Sequence, residues 1–120
     1  MEGSKRVCVV EDDFLIAEDL RRMCEDFGFE VTRVIHRAEG AAEAILAARP
    51  DVLLMDVRLG QGPDGIAIVR ALNQLGADIR VVFVTGSTEQ ATRMSMRQED
   101  PHRILVKPVS QAMLKEALGA

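Results

Sequence analysis

The chain has 120 residues, a formal net charge of −4, a hydrophobic fraction of 48% and only 3% aromatic residues, with no Trp or Tyr. That length allows one domain with a real core, and the core must be aliphatic. The charge pattern offers no basic patch for direct nucleic-acid binding and no run approaches a membrane span. The apolar stretch after Lys5-Arg6 is too short for a signal-peptide core.

Lys5–Val10 reads as a first strand, continuously apolar and therefore buried on both faces. Cys8 within it and Cys24 further on show no metal-ligand spacing. They read as buried thiols of a reducing cytoplasm, where we expect the protein to reside. Phe14–Phe27 carries Ile16, Leu20, Met23, Cys24 and Phe27 on one helical face, with Gly28 as its stop. Glu30–Ile35 is a half-polar strand suited to a sheet edge. Ala38–Ala48 is an Ala-rich helix weakened by Gly40 and ended by Pro50. Val52–Met55 is the third strand. Asp64 caps a third helix that turns Ile66, Val69, Leu72 and Leu75 inward and stops at Gly76.

Arg80–Val84 and Arg103–Val106 are the fourth and fifth strands. Between them Thr88–Gln98 is the weakest helix, with sparse apolar positions (Ala91, Met94, Met96) and a break at Asp100-Pro101. Ser110–Leu118 is a short last helix. Five βα units without a hairpin signal imply an α/β fold, a parallel sheet covered by helices on both faces.

The chemistry lies where the apolar runs stop. Val7-Cys8-Val9-Val10 ends at Glu11-Asp12-Asp13. Val52-Leu53-Leu54-Met55 ends at Asp56, Val81-Val82-Phe83-Val84 at Thr85, and Ile104-Leu105-Val106 at Lys107-Pro108. In an open parallel sheet, ligands bind at the C-terminal ends of the strands. If the first and third strands are neighbours, their carboxylates converge, and ionised acids that close hold together only around a cation. Hard oxygen donors with room for water and phosphate suit Mg²⁺ (or Mn²⁺). A carboxylate held between a metal and Lys107, with the Thr85 hydroxyl nearby, is placed to attack a phosphoryl group in line.

The motifs VVEDD, MDVRL, VTG and VKP, in that order and each at a strand end, resemble the receiver domain of two-component response regulators. The resemblance spans the whole chain, read as one domain over 1–120. It implies a flavodoxin-like, doubly wound sheet of five strands in the order 2-1-3-4-5 with five helices. It implies that Asp56 is the phosphoacceptor, that Asp12 and Glu11 bind the metal with Asp56, and that the backbone carbonyl of Arg58 completes the protein ligands. Glu11 would act through water. Thr85 is then the switch hydroxyl and Lys107 the phosphate-binding lysine, followed by a cis bond to Pro108. The phosphoryl donor would be a sensor histidine kinase or a phosphotransfer protein. Chemistry beyond phosphorylation and dephosphorylation of Asp56 is not expected. Whether the chain is a single-domain regulator or a receiver excised from a longer one stays open, as do its downstream partner and oligomeric state.

Three positions depart from the family pattern. Ile104 stands where an aromatic switch residue is usual. The loop after Asp56 is one residue longer, with Gly60 in place of the usual Pro. Arg58 and Ser87 hold the positions that tune dephosphorylation, and an Arg there is expected to hinder the hydrolytic water. The output face would be the fourth helix, fifth strand and fifth helix, with Ile104 on it.

Competing readings are weaker. Asp13 is better placed as a helix cap than as a metal ligand. Gly60-Gln61-Gly62-Pro63-Asp64-Gly65 spells a dinucleotide fingerprint, but Pro63 lacks an amide donor and Asp64 would repel a pyrophosphate. His36 and His102 read as exposed loop residues. Met94 and Met96 are either core filler or an adaptable surface. A pseudo-receiver that only binds partners is the alternative function, disfavoured by the complete acid, Thr and Lys set. An Asp-nucleophile phosphohydrolase would need a second Asp where Arg58 stands.

Overall fold

The structure, a computed structural model, describes residues 5–120. Strands β1 (Arg6–Val10), β2 (Glu30–Ile35), β3 (Val52–Asp56), β4 (Arg80–Thr85) and β5 (Arg103–Val106) alternate with helices α1 (Phe14–Asp26), α2 (Ala41–Ala48), α3 (Gly65–Gln74), α4 (Gln90–Arg97) and α5 (Gln111–Leu118). All the strand pairs are parallel, and the order is β2-β1-β3-β4-β5. The flavodoxin-like, doubly wound arrangement is therefore the observed one.

Alternation along the central strands sorts their side chains into two cores. Cys8, Val10, Leu53, Met55, Val81 and Phe83 face one side, under α2, α3 and Met96 of α4. Val7, Val9, Val52, Leu54, Val82 and Val84 face the other, under α1 and α5. Burial on both faces explains why these strands read as unbroken apolar runs rather than alternating ones. β2 lies at an edge and keeps exposed Glu30 and Arg33, as its half-polar sequence implies. Among the described residues no helix is long and apolar enough to cross a membrane.

Side chains fix the helix starts. Asp13 accepts from the amides of Leu15 (2.9 Å) and Ile16 (3.0 Å), Asp64 from Ala67 (2.9 Å) and Ser110 from Met113 (3.1 Å). Each satisfies donors that a first helical turn leaves free. Asp13 is thus a cap, as its sequence position indicated. Asp64 already spends its carboxylate on α3, which disposes of the dinucleotide reading.

Three expectations need correction, and one open alternative is resolved. Leu75 is 68% exposed rather than inward. α3 ends at Gln74, and Gly76 leaves in a left-handed turn (φ 73°), so Ala77 and Ile79 fill the core position instead. α2 starts at Ala41 rather than Ala38, because Gly40 caps it in a left-handed conformation. Met96 is fully buried while Met94 is 57% exposed, so the two methionines divide between core and surface. His36 and His102 are half-buried rather than exposed.

Candidate functional site

The site forms where the strand order reverses. β1 pairs with β2 on one side and β3 on the other, so a crevice opens beyond the ends of β1 and β3. β3 carries Asp56 into it as its last residue, 5% exposed, in register with Val84 of β4. The Glu11 amide bonds the Ile35 carbonyl at 2.9 Å, which extends the β1–β2 ladder and places Glu11 and Asp12 above the sheet. One carboxylate oxygen from each of Glu11, Asp12 and Asp56 lies within 4.8 Å of the others. Glu11 is buried and Asp12 exposed.

Lys107 enters from the end of β5. Its Nζ lies 2.7 Å from Glu11 Oε1 and 3.4 Å from Asp56 Oδ2. Burial alone would lower the lysine pKa, but Glu11 and Asp56 outweigh it and the net shift is upward. Asp56 moves from 3.8 up to about 7 through burial first and then the neighbouring Glu11 carboxylate, with Lys107 opposing. In a crevice without a cation, burial and the neighbouring carboxylate thus favour the protonated form of Asp56.

The donor set fits a divalent cation. Glu11 Oε2 accepts from the Asp13 amide at 3.1 Å. Glu11 Oε1 is buried and receives no well-directed hydrogen bond, although the lysine stands close. Three carboxylates with converging oxygens, one of them Asp12 open to solvent, form a hard-oxygen cation site.

Thr85 closes β4 and is buried. Its hydroxyl oxygen accepts from the Ser87 amide at 3.0 Å, leaving its proton to give elsewhere. Its carbonyl accepts from the Lys107 amide at 2.8 Å, which locks the lysine strand to the threonine strand. Ser87 Oγ accepts from the Glu89 amide at 3.2 Å, so Ser87 also shapes the turn into α4. Thr85, Ser87, Lys107 and the three acids line one cleft of about 660 Å³. A more apolar hollow of about 620 Å³ beside α1 shares Lys107 but not Asp56. The Lys107–Pro108 bond is cis, and Ile104 is half-buried in β5, in register with Phe83.

Three features escaped the sequence reading. Arg58 Nη2 stands 3.5 Å from Glu89 Oε1, an exposed ion pair spanning the cleft mouth. His36 Nδ1 donates to the Glu11 carbonyl at 3.1 Å, and its ring meets Phe14 edge-on with centroids 4.0 Å apart. Gly65 donates its amide to the Val57 carbonyl at 2.7 Å. A Cβ at Gly65 would stand 1.9 Å from the Asp56 carbonyl oxygen, so only glycine lets α3 start against the end of β3. A glycine directly after a capping Asp was the available signal for the last of these.

Comparison with known proteins agrees with this geometry. The chain is similar to the response regulator MprA of Mycobacterium ulcerans, 31% identical over 105 residues that cover 88% of this chain and 44% of that protein. It is similar to the transcriptional regulatory protein PrrA of Mycobacterium leprae, 32% identical over 112 residues that cover 93% of this chain and 47% of that protein. The chain thus spans about half the length of these relatives. Among solved structures it superimposes on the signal receiver domain of a modulated diguanylate cyclase from Desulfovibrio desulfuricans G20 with a TM-score of 0.88 and 29% identity, covering 97% of this chain and 91% of that one. The signal receiver domain of the putative response regulator NarL from Mycobacterium tuberculosis gives 0.86 and 27%, covering 99% and 100%. The response regulator receiver domain profile matches residues 7–119, and the chain belongs to that family of two-component signalling domains.

Proposed function

We propose that Asp56 takes a phosphoryl group from the phosphohistidine of a sensor histidine kinase or phosphotransfer protein, and that the resulting charge resets the surface a downstream protein reads. The observation that carries this is the burial of Asp56 at the end of β3, with Lys107 Nζ at 3.4 Å and oxygens of Glu11 and Asp12 within 4.8 Å.

An Asp56 carboxylate oxygen forms the new P–O bond. The donor's P–N bond breaks and its electron pair leaves with the imidazole. Asp12, Asp56, Glu11 and the Arg58 carbonyl are the groups that would hold Mg²⁺ (or Mn²⁺). The metal supplies charge neutralisation to the phosphoryl oxygens. Lys107 brings a mobile positive charge to the same oxygens, and the free Thr85 proton gives them a hydrogen bond. Asp56 must lose its proton before it can act, so metal binding and proton release are linked here.

The backbone tie from Thr85 to Lys107 joins the phosphate-binding groups to β5, where Ile104 sits without an aromatic ring. We place the output face on α4, β5 and α5. α4 is the element most easily repositioned, because it buries only Met96 and its Glu89 cap makes no side-chain hydrogen bond. Arg58 and Ser87 flank the cleft and set the lifetime of the acyl phosphate. A cytoplasmic location fits this role, without direct nucleic-acid contact.

Intact mass after incubation with Mg²⁺ and acetyl phosphate tests the reading. One phosphoryl adduct that needs Mg²⁺ and is absent from Asp56→Asn supports it. No adduct on folded protein from either acetyl phosphate or a phosphorylated histidine kinase refutes it.

A further inference from the structure

The loop that carries the acid pair is short. Only Glu11, Asp12 and Asp13 separate β1 from α1. Two of their carboxylates already have backbone partners. Asp13 caps α1 through the amides of Leu15 and Ile16, and Glu11 Oε2 accepts from the Asp13 amide. Asp12 differs. Its side chain is exposed, and among the described residues no hydrogen bond or ion pair holds it. Yet one of its oxygens lies within 4.8 Å of those of Glu11 and Asp56. The backbone therefore has to aim it.

That backbone is tied at two points, both from the end of β2. The Glu11 amide donates to the Ile35 carbonyl at 2.9 Å, which fixes the peptide plane before Glu11. The Glu11 carbonyl accepts from His36 Nδ1 at 3.1 Å, which fixes the plane after it. A carbonyl only accepts, so Nδ1 of this ring bears the proton. The carbonyl shares one rigid plane with the Asp12 amide and Cα. Holding its oxygen sets the direction in which the chain leaves for Asp12.

His36 is itself braced. It follows β2 directly, is half-buried, and meets the Phe14 ring edge-on. Phe14 opens α1, is exposed and belongs to neither core. The ring pair thus links the end of β2 to the start of α1 and brackets the acidic loop.

We propose that His36 is a positioning residue for the divalent cation, its Nδ1–H holding the Glu11–Asp12 peptide so that Asp12 converges on Glu11 and Asp56. The imidazole acts through the backbone it bonds rather than by touching the cation. Outer partners that orient metal-binding groups set metal affinity, whereas an ordinary loop contact only stabilises the fold. The inference rests on the metal site of the proposed function, and it assigns the role to the donor rather than to the bulk of the ring.

The test measures binding of Mn²⁺ alone to the full, unphosphorylated chain, read from the EPR signal of the free ion. Two variants separate donor from bulk. His36→Leu fills the space against Phe14 without a donor, and His36→Asn keeps an N–H near the Nδ1 position with less bulk. The Leu variant is expected to bind Mn²⁺ about three- to tenfold more weakly, the worth of one hydrogen bond. The Asn variant is expected to stay within about twofold of the wild type. His36→Ala replaces Leu in the comparison should Leu not fold, and circular dichroism verifies each variant. Urea unfolding in EDTA reads stability separately, because a purely structural contact would lower it without moving the affinity of the folded chains.

The proposal is overturned if a folded variant without the donor binds Mn²⁺ as tightly as the wild type, or if Asn binds no better than Leu. Asp12→Asn is the reference. Wild-type binding that Asp12→Asn does not weaken, or no binding by the wild type, refutes the metal reading itself and this inference with it. Both of those results appear in chains with His36 intact, so the two failures are told apart.

Discussion

Replacing Asp56 with Asn should stabilise the metal-free protein, and by an amount that depends on pH. Asn is close in shape to the protonated carboxyl. Below pH 3.8 the wild-type aspartic acid is neutral in both folded and unfolded chains, so the two proteins should differ little. As pH rises past 3.8 the unfolded carboxyl ionises, while the folded one holds its proton until about 7. The folded state is then the one that binds more protons, and its stability falls across that window and levels off above it.

A carboxyl carried from 3.8 to about 7 destabilises the fold by up to ~4 kcal/mol. Water in the open cleft screens part of this, so ~1–3 kcal/mol in favour of Asp56→Asn at about pH 8 is the expected gap. Urea denaturation in EDTA from acid to mildly alkaline pH measures it. Mg²⁺ at about a hundred times its dissociation constant should then stabilise the wild type by ~2.7 kcal/mol and the variant far less. A gap of the same size at both ends of the pH range, or equal Mg²⁺ stabilisation of both proteins, would refute the reasoning.

Gly65→Ala should lose ~3 kcal/mol or more by thermal or urea unfolding, because the new Cβ meets the Asp56 carbonyl oxygen at 1.9 Å and the Met55 side chain at 2.8 Å. A loss below about 1 kcal/mol, or a gain of the ~0.4–1 kcal/mol ordinary for Gly to Ala at an unstrained position, would show that the end of β3 can yield. Arg58→Asn should shorten the half-life of the phosphorylated protein in a phosphate-release time course, since it removes the guanidinium held at the cleft mouth by Glu89. An unchanged half-life would count against that role. Binding of beryllofluoride should raise amide-exchange protection in α4 more than in α2, because α4 buries only Met96. Uniform changes across both helices would contradict it.

The parts of the fold legible from sequence were those written as burial. Val52–Met55 is apolar at every position because β3 is covered on both sides, and an ionisable residue at its end had to have a use. Asp13, Asp64 and Ser110 announced their helices because capping is local chemistry. The strand order came from family resemblance rather than from periodicity, which is blind to which strands neighbour each other.

What stayed hidden depended on distant geometry. Leu75 follows the helical period, but the helix ends one residue before it. His36 looked like a loop residue until β1 and β2 were laid side by side and its ring reached the Glu11 carbonyl. Arg58 and Glu89 sit in separate loops, and nothing in their spacing signals that they meet.

The two free cysteines lie in different halves of the interior. Cys8 belongs to the core under α2 and α3, Cys24 to the one under α1 and α5. Burial pushes both thiols up to about 12, so neither reacts until its own layer opens. Timed alkylation of the native protein would therefore tell whether the two layers separate from the sheet together. Equal labelling rates would mean one cooperative unit, and faster loss of Cys24 would mean that α1 and α5 peel away while the other layer holds. The chain carries a chemical clock on each side of its sheet without any engineering.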